Sequence, residues 1–147
     1  MISSRPCTIR LAGPHEDLGP AAAVMIQLRT HLTRDAFIEQ ARRQMREGGY
    51  RLAVLEKDGI VRAVAGFRIW EMLHSGKHMY VDDLVTDADS RSSGLGGRLL
   101  DWLKELARKE GCRHLELDSG VQRDAAHRFY FRQGMTISSY HFRMPLD

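Results

Sequence analysis

The 147 residues, 43% of them apolar and 28% charged, have the length and balance of one soluble globular domain with a substantial core. The formal net charge is +3, but the Lys and Arg residues are scattered, with no basic run and no aromatic–basic interleaving; this hints at an anionic small ligand and argues against a nucleic-acid reader. No apolar run approaches the roughly 20 residues of a membrane span, the first ten residues lack the apolar middle of a signal peptide, and Cys7 and Cys112 fit no metal or redox spacing, so a cytoplasmic protein with two free thiols and no membrane partner is expected.

In chain order, residues 7–11 read as a short strand. Pro14 opens a helical stretch carrying Leu18, Ala22, Met25 and Ile26, with His15, Glu16 and Asp17 in its first turn; Pro20 either kinks this helix or marks its true start. Thr33 caps a second helix running to about Glu47, with Phe37, Ile38, Ala41 and Met45 on one side, and Gly48-Gly49 ends it. Two β-rich runs, 50–56 and 60–70, flank Lys57-Asp58-Gly59, a hairpin signal. Residues 73–77 turn into a central strand over 78–86. A helix over 95–109 gathers Leu99, Leu100, Leu103, Leu106 and Ala107 on one broad face, and Gly111 stops it. Residues 114–117 form a short strand, 124–133 a helix ended by Gly134, and 135–144 a last strand. The order predicts a mixed α/β domain with helices packed on the sheet.

Between the central strand and the helix after it lies Arg91-Ser92-Ser93-Gly94-Leu95-Gly96-Gly97. A glycine-rich turn at a strand-to-helix junction presents backbone N–H groups and the positive end of the helix dipole to phosphate oxygens. Glycine permits the close approach and accepts positive φ. A nucleoside-triphosphate loop would need Lys and then Ser or Thr after its last glycine, where Arg98 and Leu99 stand. A dinucleotide fingerprint would need a third glycine and a position after the first strand, and both are missing.

The pattern that fits, Arg-x-x-Gly-x-Gly ending a strand and opening a helix, resembles motif A of the GNAT superfamily of acyl-CoA-dependent N-acetyltransferases. Ala126-His127-Arg128-Phe129-Tyr130-Phe131-Arg132-Gln133-Gly134-Met135 is similar to that family's later motif, Ala-x-x-Phe-Tyr-x-x-x-Gly-Phe, with Met135 in place of the final aromatic. The resemblance covers about residues 7–145 and is strongest from 78 to 135. It implies one N-acetyltransferase domain over 1–147, with a central mixed, mostly antiparallel sheet flanked by helices and a V-shaped splay between central strands. It also implies acetyl-CoA as donor and no metal. The turn, Ser92, Ser93, Gly94 and Leu95 included, would then cradle the pyrophosphate of coenzyme A, with Gly96 and Gly97 contributing main chain and Arg91, Arg98 and Arg132 offsetting charge. Leu84, Val85 and Thr86 would run beside the pantetheine arm, and Phe129 and Tyr130 would lie on the cofactor side.

The reaction so implied is direct attack of an amine on the thioester. The N–H near Leu84 would polarise the carbonyl. Tyr130, with an ordinary pKa of about 10, would protonate the departing sulfur. Tyr80-Val81-Asp82-Asp83-Leu84-Val85 resembles the Glu-Asp-Φ-x-Val strand of polyamine and glucosamine-phosphate acetyltransferases, where Φ is apolar, with Asp82 at the Glu position. Strand alternation sends Asp82 and Asp83 to opposite faces unless a bulge intervenes. Both are candidate catalytic carboxylates, Asp82 the first choice. His78, His127 and His141 titrate near neutral pH and fall near the expected cleft, but no pair has metal-ligand spacing. Asp124 to Tyr130, followed by His141-Phe142-Arg143, resembles aminoalkylphosphonate acetyltransferases, which implies a small amine whose anionic group meets Arg128, His141 or Arg143. Acceptor choice is expected from residues 28–49 and 71–78. The expected partners are a small-molecule amine and a second copy of the chain, paired through the last strands. The alternatives are a protein or peptide N-acetyltransferase and a non-catalytic acyl-CoA-binding module.

Overall fold

The computed structural model describes residues 7–147, which fall into two compact units, one ending at Glu116 and one beginning at Leu117. The first unit is built on strands β1 (Thr8–Leu11), β2 (Arg51–Lys57), β3 (Ile60–Met72) and β4 (Gly76–Thr86), joined at the edge by β5 (His114–Leu117) in the order β1-β2-β3-β4-β5. The first four strands form an antiparallel meander. The β2–β3 turn places Asp58 and Gly59 at φ +57° and +77°, the left-handed pair that a tight hairpin matching strand twist requires.

Helices α1 (Gly19–Met25) and α2 (Arg34–Glu47) cover one face of the sheet. Leu18, Ala22, Met25, Phe37 and Ala41 join Tyr50, Leu52, Val54, Val64 and Val85 in one buried cluster, and the predicted Ile38 and Met45 pack on its margin. Thr33 caps α2 as expected, accepting from Ala36 N. Pro20 marks the true start of α1: the helix begins at Gly19, with Pro20 in its first turn where no N–H partner is needed. Glu16, expected in a helical first turn, instead accepts from Gly13 N at 2.5 Å and pairs with Arg10 at 2.8 Å.

Helix α3 (Leu95–Lys109) buries Leu95, Leu99, Leu100, Leu103 and Ala107 and packs on β3 and β4. It covers the other face. Arg51 spans from the Phe67 ring, 4.9 Å away, to Glu110 just past the helix end, and alternation places Arg51 opposite the cluster formed by Leu52 and Val54.

The second unit contains α4 (Asp124–Arg132), closed by Gly134 at φ +87°. The strand expected over 135–144 is not formed. Its side chains alternate in the sequence, but a strand exists only with a ladder partner, and this segment pairs with no strand among the described residues. Ile137, Tyr140, Phe142 and Met144 stand exposed along it.

Candidate functional site

The end of β4 and the start of α3 form the first half of the site. After Thr86 the chain makes a single 3₁₀ turn over Ala88–Ser90, then reverses through Ser92 at φ +69° and Gly94 at φ +81° before α3 begins. Gly94 is the N-cap, and no side chain caps the helix. The first intrahelical bond is Arg98 N to Gly94 O, 3.1 Å, which leaves the amides of Leu95, Gly96 and Gly97 without intrahelical acceptors. A Cβ placed at Gly94 would meet nothing within 4 Å, so the space above the turn is open. Arg91 and Arg98 are exposed beside it. A 15-residue helix whose first amides are uncapped and open, flanked by exposed Arg98 and by Arg91, whose Nε also donates to Thr86 O at 3.5 Å, has the donors a pyrophosphate needs.

This turn is anchored from the opposite face of the sheet. The Gln27 amide, one turn past α1, donates to Asp87 Oδ1 at 2.7 Å and accepts from Ala88 N at 2.8 Å, while Arg62 adds a longer ion pair to Asp87, 3.8 Å.

On β4, a register shift at Gly66/Phe67 pairs Gly66 with Asp83 and Phe67 with Val81, so Asp82 is an extra residue without a direct partner. This bulge corrects the simple alternation. Asp82 reaches Arg68, and Asp83 reaches Tyr50, which lies over Gly66; Gly66 and Arg68 are two apart on one strand, so the two carboxylates share the face that α1 and α2 cover.

Their surroundings differ. Asp83 is fully engaged: Oδ1 accepts from Arg29 Nε at 2.8 Å and Oδ2 from the Tyr50 hydroxyl at 2.8 Å. Burial beside that carboxylate pushes the Tyr50 phenol well above its ordinary pKa, so it remains a donor. Asp82 has one cationic partner, Arg68, with Nε 3.2 and 3.1 Å from its two oxygens. Burial raises the Asp82 carboxyl pKa, and Arg68 offsets this only in part. A carboxylate with a raised pKa is a better proton acceptor near neutral pH.

A cavity of about 210 Å³ opens beside Asp83, which lines it with Arg29, His31, Gln40, Gln44 and Tyr50 over a floor of Met25, Phe37 and Ala41. Six of these residues come from the 28–49 stretch expected to choose the acceptor. Sequence reasoning missed Arg29, Tyr50 and Arg68. The one available sign was a glycine inside an otherwise β-branched strand, which marks close approach by another group.

Of the cofactor-side residues on β4, Val85 turns its side chain into the core, whereas Leu84 and Thr86, one position away on either side, point to the α3 face. β5 begins beside the start of β4, where Arg113 N donates to Lys77 O at 2.8 Å. At four residues it is too short to follow the eleven-residue β4 to its end, so residues 82–86 keep a backbone edge that β3 does not use.

The second unit carries Tyr130 on α4, its ring 5.5 Å from that of Phe129. Burial raises the Tyr130 phenol pKa, with Arg123 pulling the other way, so the hydroxyl stays protonated. Arg128 and Arg132 are exposed on the same helix. His127 Nε2 lies 2.8 Å from Gly120 O, and His141 Nδ1 lies 3.5 Å from Asp118. In the first unit, His78 is fully buried against Trp70 at 4.2 Å, and neither ring nitrogen has a hydrogen-bond partner. Among the described residues no group of three or more His, Cys, Asp or Glu is arranged to hold a metal ion, and no helix is long and apolar enough to cross a membrane.

Comparison with known proteins identifies the fold and the family. An N-acetyltransferase of Bacillus subtilis strain 168, YhdJ, itself uncharacterised, is 37% identical over 132 residues, 89% of this chain and 93% of that protein. An aminoalkylphosphonate N-acetyltransferase of Salmonella typhimurium is 32% identical over 97 residues, 66% of this chain and 62% of that protein. Among solved structures, the aminoglycoside N-acetyltransferase AAC(6')-Iy, determined in complex with CoA, superposes with a TM-score of 0.86 at 14% identity, covering 99% of this chain and 97% of its own. The profile of the acetyltransferase (GNAT) family matches residues 22–135, from α1 through the end of the second motif, and the chain therefore belongs to the acetyltransferase (GNAT) family.

Proposed function

We propose that this enzyme moves an acetyl group from acetyl-CoA to the primary amine of a small molecule by direct attack in a ternary complex. The observation that carries the reading is the uncapped, glycine-opened N-terminus of α3, whose free amides fit the pyrophosphate. The CoA complex of a structurally similar enzyme supports the same donor. Acetyl-CoA, when bound, supplies a thioester carbonyl to which an amine adds, with release of the thiol. In this reading the amides of Leu95, Gly96 and Gly97, with Ser92, Ser93, Arg91, Arg98 and Arg132, hold the phosphates. The open edge of Leu84 to Thr86 pairs with the pantetheine amides, and the Leu84 N–H polarises the carbonyl. Asp82 takes the proton of the incoming ammonium, directly or through one water. Asp83, tied by Arg29 and Tyr50, holds the strand in place beside it. Tyr130, kept protonated by burial, gives its proton to sulfur as the carbon–sulfur bond breaks. The scheme calls on no metal.

The family match runs without interruption across residue 116, which supports treating both units as one catalytic domain. A small amine is favoured as acceptor by the relative that acetylates aminoalkylphosphonates, with Arg128, His141 or Arg143 available to an anionic group. The free cysteines suit a reducing cytoplasm. The exposed apolar side chains of 137–146 support a homodimer paired through that segment.

Two measurements on the purified protein test the proposal together. Acetyl-CoA at 100 times its dissociation constant stabilises the fold by about 2.7 kcal/mol, visible as a thermal shift, and an amine panel releases free thiol. With turnover in hand, Tyr130→Phe lowers kcat about ten- to a hundredfold, at or below the lower end of the range for general acids because a thiolate leaves readily, while the acetyl-CoA shift persists. No thermal shift at millimolar acetyl-CoA would sink the donor assignment.

A further inference from the structure

Arg68 occupies an unusual position for a strand cation. Its guanidinium carbon lies 4.9 Å from the centre of the Trp70 ring and 6.0 Å from that of Tyr80, while Nε faces both oxygens of Asp82. The two aromatic rings are themselves 5.7 Å apart. Two aromatic rings and a carboxylate gathered around one guanidinium make a receptor for an organic cation, since each ring offers its negative quadrupole and the carboxylate supplies the counter-charge. The box is within reach of solvent: the Arg68 side chain is 39% exposed and Trp70 36%. It stands on the bulge, and the carboxylate that closes it is the proposed base.

Resting on the acetyltransferase reading, we propose that Arg68 is an internal plug of the acceptor's ammonium site. The incoming amine displaces the guanidinium from Asp82, Trp70 and Tyr80, and Arg68 thereby sets how strong a cation an acceptor must be to enter. The displaced guanidinium moves toward solvent, where a long flexible side chain is readily accommodated. Asp82 is then released from its cationic partner at the moment it receives the proton-bearing amine. A bare carboxylate in this position would otherwise collect any cation. A plug that must be exchanged favours amines able to replace both the ion pair and the aromatic contacts, and selects against anionic or neutral molecules. Arg68 is thus a specificity-determining residue that acts through the site it fills.

The charged and titratable groups facing Asp82 are Arg68 from β3, Arg29 from the turn after α1, and Tyr80 and Asp83 from β4, with Tyr50 reaching in through Asp83. Removing Arg68 removes the largest influence that lowers the Asp82 pKa. The carboxyl then titrates at higher pH, and the acidic limb of the kcat/KM profile moves up with it. Loss of an arginine without that contact to Asp82 would leave the limb in place, and the plug itself is read from cation binding.

The test uses 1,4-diaminobutane as probe in titration calorimetry on the CoA-saturated protein. Arg68→Met binds the diamine about tenfold more tightly than wild type, roughly 1.4 kcal/mol, because nothing has to be displaced. Arg68→Lys, which keeps a cation in the box, falls between the two. Each variant is also melted with acetyl-CoA, so loss of the donor site is read separately from loss of the plug. In the wild-type protein, which needs no substitution to fold, the Arg68 Nε–H and Trp70 indole resonances shift on addition of diamine. Unchanged resonances, or Arg68→Met binding the diamine no more tightly than wild type while still stabilised by acetyl-CoA, would overturn the proposal. Equal affinity in all three proteins would do the same.

Discussion

Asp82→Asn lowers kcat by about 10²- to 10⁴-fold, the range for loss of a positioned general base, while the acetyl-CoA thermal shift remains that of wild type. The amide is nearly the same shape, so the bulge persists, while the proton acceptor and the negative charge paired with Arg68 are both lost. The fold is not weakened at neutral pH. Because burial raises the Asp82 pKa in the folded state, the native protein holds that proton more tightly than the unfolded chain. The associated stability is fully present below the unfolded value of about 3.9 and is lost as pH rises through the folded value. Asparagine carries no charge to penalise, so the variant escapes that loss. The checking experiment is a kcat/KM profile against pH beside melts at pH 5 and pH 7. A variant with kcat within about threefold of wild type would remove Asp82 as the base and move attention to Asp83 or to water.

Gly66→Ala is the largest stability effect expected from a single methyl group. A Cβ at residue 66 would lie 1.7 Å from the Tyr50 hydroxyl and 2.3 Å from its Cζ. Tyr50 is only 3% exposed and packed in the helix-side core, so its ring can withdraw only toward the cavity it lines, breaking the hydroxyl bond to Asp83. Overpacking of this kind costs about 1–3 kcal/mol and sometimes more, which for a chain of this size lowers Tm by roughly 3–10 °C. The same substitution displaces the hydroxyl that fixes Asp83, so kcat falls along with Tm. A double-mutant cycle separates this clash from ordinary strand effects: in a Tyr50→Ala background, itself destabilised by a cavity, Gly66→Ala costs far less than in wild type. Additive costs would refute the clash.

Much of the cofactor side could be read from letters, because it is local. The Gly94 turn, the α3 face from Leu95 to Ala107 and the Thr33 cap each depend on residues within a few positions of one another. The carboxylate site is different. Arg29 lies 54 residues from Asp83, and Tyr50 lies 33 from it. Neither pairing leaves a periodic trace, and the bulge that gathers Asp82 and Asp83 is defined only by which β3 residue faces which β4 residue. The last segment failed in the opposite way. Residues 135–144 carry strand-like alternation, yet alternation describes one partner only, and a ladder needs two. Pro20 shows the intermediate case: its ring offered both a kink and a start, and the lack of a helical partner for the first amides decided for the start.

The bulge at Asp82 is also a change of phase. Before it, even-numbered positions of β4, His78 and Tyr80, look toward the helix-covered face; after it, odd-numbered ones do, Asp83 and Val85. One strand thus follows two registers of inside and outside, joined at a single residue. Deleting Asp82 itself would therefore remove the extra residue and restore plain alternation, leaving Val85 in the core, whereas a deletion within the paired ladder from Leu84 to Thr86 would turn the positions beyond it to the wrong face. In its facing pattern the strand absorbs a one-residue loss at the bulge, where a residue is unpaired, and not in the ladder on either side of it.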